Sequence, residues 1–137
     1  MSPIARILIA DDSDDLRRTL RIALETHPRY KVSGKAASGA EAVAKVTKLQ
    51  PDLVILDLQM PDMNGFEAAR QIFEFAPSTP ILMYSMHCSK QHLQEAHKIG
   101  IRGYIQKGSG FQTLFEAVEK VLGGEIFFLA KSDGTIL

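Results

Sequence analysis

Five short runs rich in apolar residues alternate along this chain with five segments whose apolar residues recur every three or four positions. Residues 4–10 (IARILIA) are nearly all apolar and β-branched, which predicts a strand buried on both faces. Residues 13–26 then change period. Leu16, Leu20, Ala23 and Leu24 fall along one side of a helix, Arg17, Arg18 and Arg21 are placed outside, Ser13 can cap, and His27-Pro28 ends it. Residues 30–37 (YKVSGKAA) predict a weaker, partly exposed strand.

The same alternation continues. Ser38-Gly39 opens a helix through Ala42, Val43, Val46 and Leu49 that Pro51 stops, and Leu53–Leu56 is a second buried strand. Gly65 precedes a helix through Phe66, Ala69, Ile72 and Phe73, ended by Pro77. Residues 80–84 (PILMY) and 102–106 (RGYIQ) read as strands. Between them, residues 89–99 form a polar helix with Leu93, Ala96 and Ile99 as its apolar set. A last helix, 111–122, carries Leu114, Phe115, Val118 and Leu122 and closes at Gly123-Gly124. Such alternation argues for one parallel sheet with helices on both faces. The expected organisation is a single domain over 1–130, with 131–137 as a linker stub or tail.

Composition narrows the setting without naming a chemistry. The 137 residues suffice for one domain with a real core. Sixteen basic residues balance sixteen acidic ones, so charge gives no reason to expect nucleic acid or a membrane as partner. A lone cysteine, Cys88, and the lack of a long apolar span lead us to expect a soluble, cytoplasmic protein.

The chemistry lies where the strands end. IARILIA runs into Asp11 and Asp12, LVIL into Asp57, PILMY into Ser85 and RGYIQ into Lys107. In a parallel sheet these ends share one edge, the edge at which open α/β sheets bind ligands. Three carboxylates placed together repel unless some protonate or a cation joins them. A hard divalent ion, Mg2+, suits an all-oxygen set of this kind. With it, Asp57 is a candidate nucleophile for phosphoryl transfer, Lys107 a second source of positive charge, and Ser85 a hydrogen-bond donor to a phosphoryl oxygen.

Taken with their order and separations, LIADD (8–12), ILDLQMPDMNG (55–65), LMYS (82–85) and GYIQKGS (103–109) resemble the receiver domains of two-component response regulators. The likeness covers roughly residues 4–129. It is strongest to the LuxR/NarL-type subgroup, whose receiver-to-linker junction is similar to residues 123–129 here. The resemblance implies a flavodoxin-like (CheY-like), doubly wound, five-stranded parallel sheet of order 2-1-3-4-5. It also implies that Asp57 accepts phosphate from a sensor histidine kinase or phosphotransfer protein. Asp12 and Asp57 would ligate Mg2+ directly, Asp11 through water, with the Gln59 backbone carbonyl completing the site. Ser85 would be the switch hydroxyl, Lys107 the phosphate-binding lysine, and Tyr104 the aromatic whose rotamer follows phosphorylation. A homodimer and a DNA-binding output domain in a longer protein are further expectations. This chain itself, with about fifteen residues after its last helix, is not expected to bind DNA or to act as an enzyme.

Two positions depart from the commonest family pattern: Met86 follows Ser85 where a small residue is usual, and Gly108 follows Lys107 where many receivers have proline. A cis bond before a non-proline residue costs about 2.5–4 kcal/mol, so a trans Lys107–Gly108 peptide is expected. Two rivals are disfavoured by residues. A magnesium-dependent phosphohydrolase wants an acid two places after its nucleophile, and Gln59 stands there. A flavodoxin-like cofactor binder wants a phosphate-cradling loop after the first strand, and Asp11-Asp12 stands there. His87, His92 and His97 read as solvated side chains, and Cys88 as a small structural residue.

Overall fold

The structure, a computed structural model, describes residues 3–130 and 135–136. Its elements in chain order are β1 (Ala5–Ala10), α1 (Asp14–Glu25), β2 (Tyr30–Ala36), α2 (Gly39–Leu49), β3 (Leu53–Leu56) and α3 (Gly65–Phe75). They continue with β4 (Ile81–Ser85), α4 (Lys90–Ile99), β5 (Gly103–Gln106), α5 (Phe111–Leu122), β6 (Phe127–Ala130) and β7 (Thr135–Ile136). The sheet runs β2-β1-β3-β4-β5-β6-β7. Its first five strands are parallel and in the expected order. The sheet then continues past the five strands expected, with β6 parallel to β5 and β7 antiparallel to β6. Most of the stretch expected to be a linker stub, residues 131–134 and 137, lies outside the described residues.

Alternation along the strands builds two cores. Leu8, Ala10, Val54, Leu56 and Met83 face one side, where they meet Ala42, Val46, Ala69, Ile72, Leu93 and Ala96 of α2, α3 and α4. Ile7, Ile9, Leu53, Ile55 and Leu82 face the other, against Leu20 and Leu24 of α1 and Leu114, Val118 and Val121 of α5. Both faces are therefore dry, which is why β1 and β3 carry uninterrupted apolar runs rather than an apolar–polar alternation.

Local chemistry sets the ends of these elements. Ser13, Ser38, Asn64 and Ser89 each accept a hydrogen bond from the first turn of the helix that follows. Asp62, in the loop after β3, reaches across to accept from the Gly39 and Ala40 amides at 2.8 Å each, which ties that loop to the start of α2. These amides hold its carboxyl below the usual range. His92 has a structural part that its sequence position did not suggest. Its Nδ1 accepts from the Ser89 amide while Ser89 Oγ accepts from the His92 amide, a reciprocal cap on α4.

One side chain corrects the sequence reading outright. Arg17 was placed on the solvated face of α1, yet it is buried. Its Nη1 donates to the Asp11 carbonyl at 2.5 Å, and its Nη2 donates to the Asp14 carboxylate. Arg18 and Arg21 are exposed as expected.

Candidate functional site

β1, β3 and β5 stop at the same edge of the sheet, and the residues just past their ends meet. The Asp57 amide donates to the Ala10 carbonyl at 3.0 Å, which extends the β1–β3 ladder by one step and fixes the aspartate at the sheet rim. Asp57 Oδ1 then accepts from the Leu58 amide at 2.8 Å. Asp11 Oδ1 accepts from the Ser13 amide at 2.9 Å. Lys107 Nζ lies 2.8 Å from Asp11 Oδ2 and 3.1 Å from Asp57 Oδ2. Asp11 and Asp57 are buried, and Asp12 is exposed beside them. One carboxylate oxygen from each of the three lies within 4.8 Å of the others.

The electrostatics follow from this crowding. Burial raises the Asp57 pKa above the usual carboxylate value and the Asp11 charge raises it further, against the opposing pull of Lys107 and the Leu58 amide. Burial pulls Lys107 down, but hydrogen bonds and charge from Asp11 and Asp57 outweigh it and leave the ammonium raised. Counting formal charges, three carboxylates and one ammonium leave a deficit of two positive charges.

Gly65 explains how the loop from β3 can fold back so tightly. Its amide donates to the Leu58 carbonyl at 2.6 Å. A Cβ at this position would stand 2.2 Å from the Asp57 carbonyl oxygen and 2.9 Å from Leu58 Cα. No side chain fits there. Gln59 is exposed in this loop and lines a shallow depression together with Asp12, Met60 and Asn64.

Ser85 ends β4 and is fully buried. Its hydroxyl accepts from the His87 amide at 3.0 Å, and its carbonyl accepts from the Lys107 amide at 2.9 Å. Tyr104, one strand over, is also fully buried, and its hydroxyl donates to the His87 carbonyl. Burial pushes the Tyr104 phenol well above its ordinary value. The β4–α4 loop is thus held by both residues at one point, His87. Met86 projects outward from this loop, 65% exposed, and so does not fill the interior. The Lys107–Gly108 peptide is trans. Gly108 has φ +89°, a value that proline, fixed near −65°, cannot adopt.

Residues 7–119 match the family profile described as the response regulator receiver domain. The chain belongs to that family. This receiver domain is 33% identical over 121 residues to the transcriptional regulatory protein YdfI of Bacillus subtilis (strain 168), covering 88% of the chain and 56% of YdfI. It thus spans little more than half the length of that curated relative. A LuxR-family two-component response regulator from Aurantimonas sp. SI85-9A1 superposes with a TM-score of 0.88 at 32% identity, covering 93% of this chain and 90% of that one. The CheY of a CheX–CheY–BeF3–Mg2+ complex from Borrelia burgdorferi superposes at 0.82 with 27% identity, covering 85% and 88%. Among the described residues, no helix is long and apolar enough to cross a membrane.

Proposed function

We propose that Asp57 is the phosphoacceptor of this receiver domain, taking its phosphoryl group from a phosphohistidine on a sensor kinase or phosphotransfer protein. The observation that carries this reading is the ammonium of Lys107 set between Asp11 and Asp57 at the rim where β1, β3 and β5 end. An oxygen of Asp57 forms the new P–O bond as the donor's P–N bond breaks, and the departing imidazole keeps the electron pair. Lys107 leaves its bridge and follows the charge onto the phosphoryl oxygens, while the β3 ladder and the Leu58 amide keep the carboxylate in place.

The donor set suits Mg2+. All the convergent ligands are oxygens, three carboxylates are within reach of one another, and the deficit of two positive charges equals the charge of the ion. Asp11, Asp12 and Asp57, with the Gln59 carbonyl, would hold it. Bound there, Mg2+ would neutralise charge on the transferring group. The Borrelia CheY crystallised with BeF3 and Mg2+ supports the same assignment by likeness.

The buried pair Ser85 and Tyr104 is the proposed route outward. A phosphoryl group on Asp57 draws the Ser85 hydroxyl away from the His87 amide, which loosens the loop that Tyr104 also holds. The surface formed by α4, β5 and α5 then changes. In a longer protein this change would act on a transcriptional output domain, consistent with the YdfI likeness, and on the pairing of two receivers.

Incubation with acetyl phosphate, with and without Mg2+, followed by intact mass, tests the assignment. A single phosphoryl gain that needs the metal and is lost in Asp57→Asn is expected. Persistence of the gain in that variant would place the nucleophile elsewhere.

A further inference from the structure

We propose that the groove between α1 and β2 binds a small phosphate-bearing ligand, at a site separate from the acidic rim and opposite to it in charge. The groove encloses about 440 Å³, within the range of small-molecule sites. Arg17, Arg18, Arg21 and Lys35 line it, against a single carboxylate, Asp14. Ile9 and Val32 give it an apolar wall suited to an organic body.

Two orphaned polar atoms mark this groove. Among the described residues, the buried side-chain nitrogens and oxygens without a hydrogen-bond partner are Arg17 Nε and Ser33 Oγ. Both residues line the groove. The Arg17 side chain is only 9% exposed, with its two terminal nitrogens already engaged by the Asp11 carbonyl and Asp14. Leaving a buried donor unsatisfied is costly to the fold, and such atoms in a native structure call for a cause. Both atoms are covered by protein, so a phosphate oxygen would accept from them only after the Ser33 hydroxyl and the Arg17 guanidinium turn into the recess.

The backbone is shaped at the same place. Val32 pairs with Ile7 and Gly34 with Leu8, so Ser33 is an extra residue in β2 with no partner on β1. Bulges are rare in parallel pairs and serve to re-aim a side chain. The exposed cations at the mouth are loosely held. Arg18 and Arg21 pair with Asp15 and Glu25 at 3.3 and 3.5 Å, contacts of little energetic weight at a surface. Lys35 has no ion pair among the described residues. Two exposed guanidinium groups and the Lys35 ammonium around one recess favour a tetrahedral, multiply charged oxyanion over a single carboxylate.

Amide chemical shifts of the unphosphorylated chain, in EDTA to keep cations off the acidic rim, test this with inorganic pyrophosphate as probe. Saturable shifts confined to Arg17–Arg21 and Val32–Lys35 are expected. The double variant Arg21→Ala/Lys35→Ala, changed only at exposed positions, should weaken binding about tenfold or more, and Ser33→Ala should weaken it while the thermal unfolding midpoint without probe stays level or rises. Shifts that do not saturate, that fall elsewhere, or that persist undiminished in the double variant would overturn the proposal. A hexaglutamate peptide bound more tightly than pyrophosphate would also overturn it, by making this face a dock for an acidic protein.

Discussion

Lys107 stands 3.1 Å from Asp57 although 50 residues separate them in the chain. Because it also touches Asp11, it is the counter-ion of two buried carboxylates at once. Lys107→Met should therefore leave two like charges facing each other in a poorly hydrated corner. We expect a loss of about 1–3 kcal/mol in metal-free buffer near neutral pH, read by urea unfolding. Phosphoryl gain from acetyl phosphate should fall in the same variant, since the charge that would follow the phosphoryl group is gone.

Asp57 gives the opposite result. Its folded-state pKa lies above the ordinary carboxylate value, through burial first and Asp11 second. A group shifted this way adds stability at pH below its unfolded value and loses that contribution as pH rises through the raised folded value. Ionised Asp57 is thus a cost at neutral pH. Asp57→Asn should unfold about 1–2 kcal/mol harder than the parent near pH 7 without metal, and the gap should close on acidification to about pH 3. A gap that widens on acidification would contradict the direction of the shift.

Magnesium should offset the same repulsion. At one hundred times its dissociation constant the ion should add about 2.7 kcal/mol to unfolding, reversed by EDTA. Asp12→Asn removes an exposed carboxylate from the set of three and should blunt that gain while leaving the apo protein at or above its parent stability. Thermal unfolding across a magnesium series distinguishes these outcomes.

Gly65 is fixed by sterics alone. Gly65→Ala would drive a methyl group into the Asp57 carbonyl and Leu58. We expect a cost of about 1–3 kcal/mol or more, accompanied by amide shifts centred on Asp57 and Leu58 rather than on α3.

Tyr104→Phe keeps the buried ring and removes the hydroxyl, with its bond to the His87 carbonyl and its hydrogen bond with the Ser85 side chain. A cost of about 1–2 kcal/mol is expected. Hydrogen exchange should quicken in residues 86–89 and in the first turn of α4, and stay unchanged in α1 and β2.

The acidic rim was legible because strand ends in a parallel sheet share an edge, so each apolar run that stops at a polar residue points to the same place. Asp11, Asp57 and Lys107 needed nothing more. Arg17 was misplaced for a specific reason. It lies three residues before Leu20 and seven before Leu24, on the apolar side of α1, where the spacing, and not the charge of the residue, sets which way the side chain faces. The bulge at Ser33 leaves no trace in a strand that reads as weak and exposed. Nor could the capping part of His92 be seen in a pattern that asks only about apolar faces. β6 was read as a family junction rather than a strand, because FFL follows a helix end and its pairing with β5 is settled by tertiary contact.

β6 also changes what β5 is. Gly103, Tyr104 and Ile105 are matched along β6 by Phe127, Phe128 and Leu129, and Phe128 lies buried in the same core as Tyr104. A chain cut before Phe127 would bare a row of unmatched amides and carbonyls beside Tyr104, a ready template for strand pairing with a second copy. The self-association of such a truncated fragment would come from the new edge alone and would carry no information about signalling.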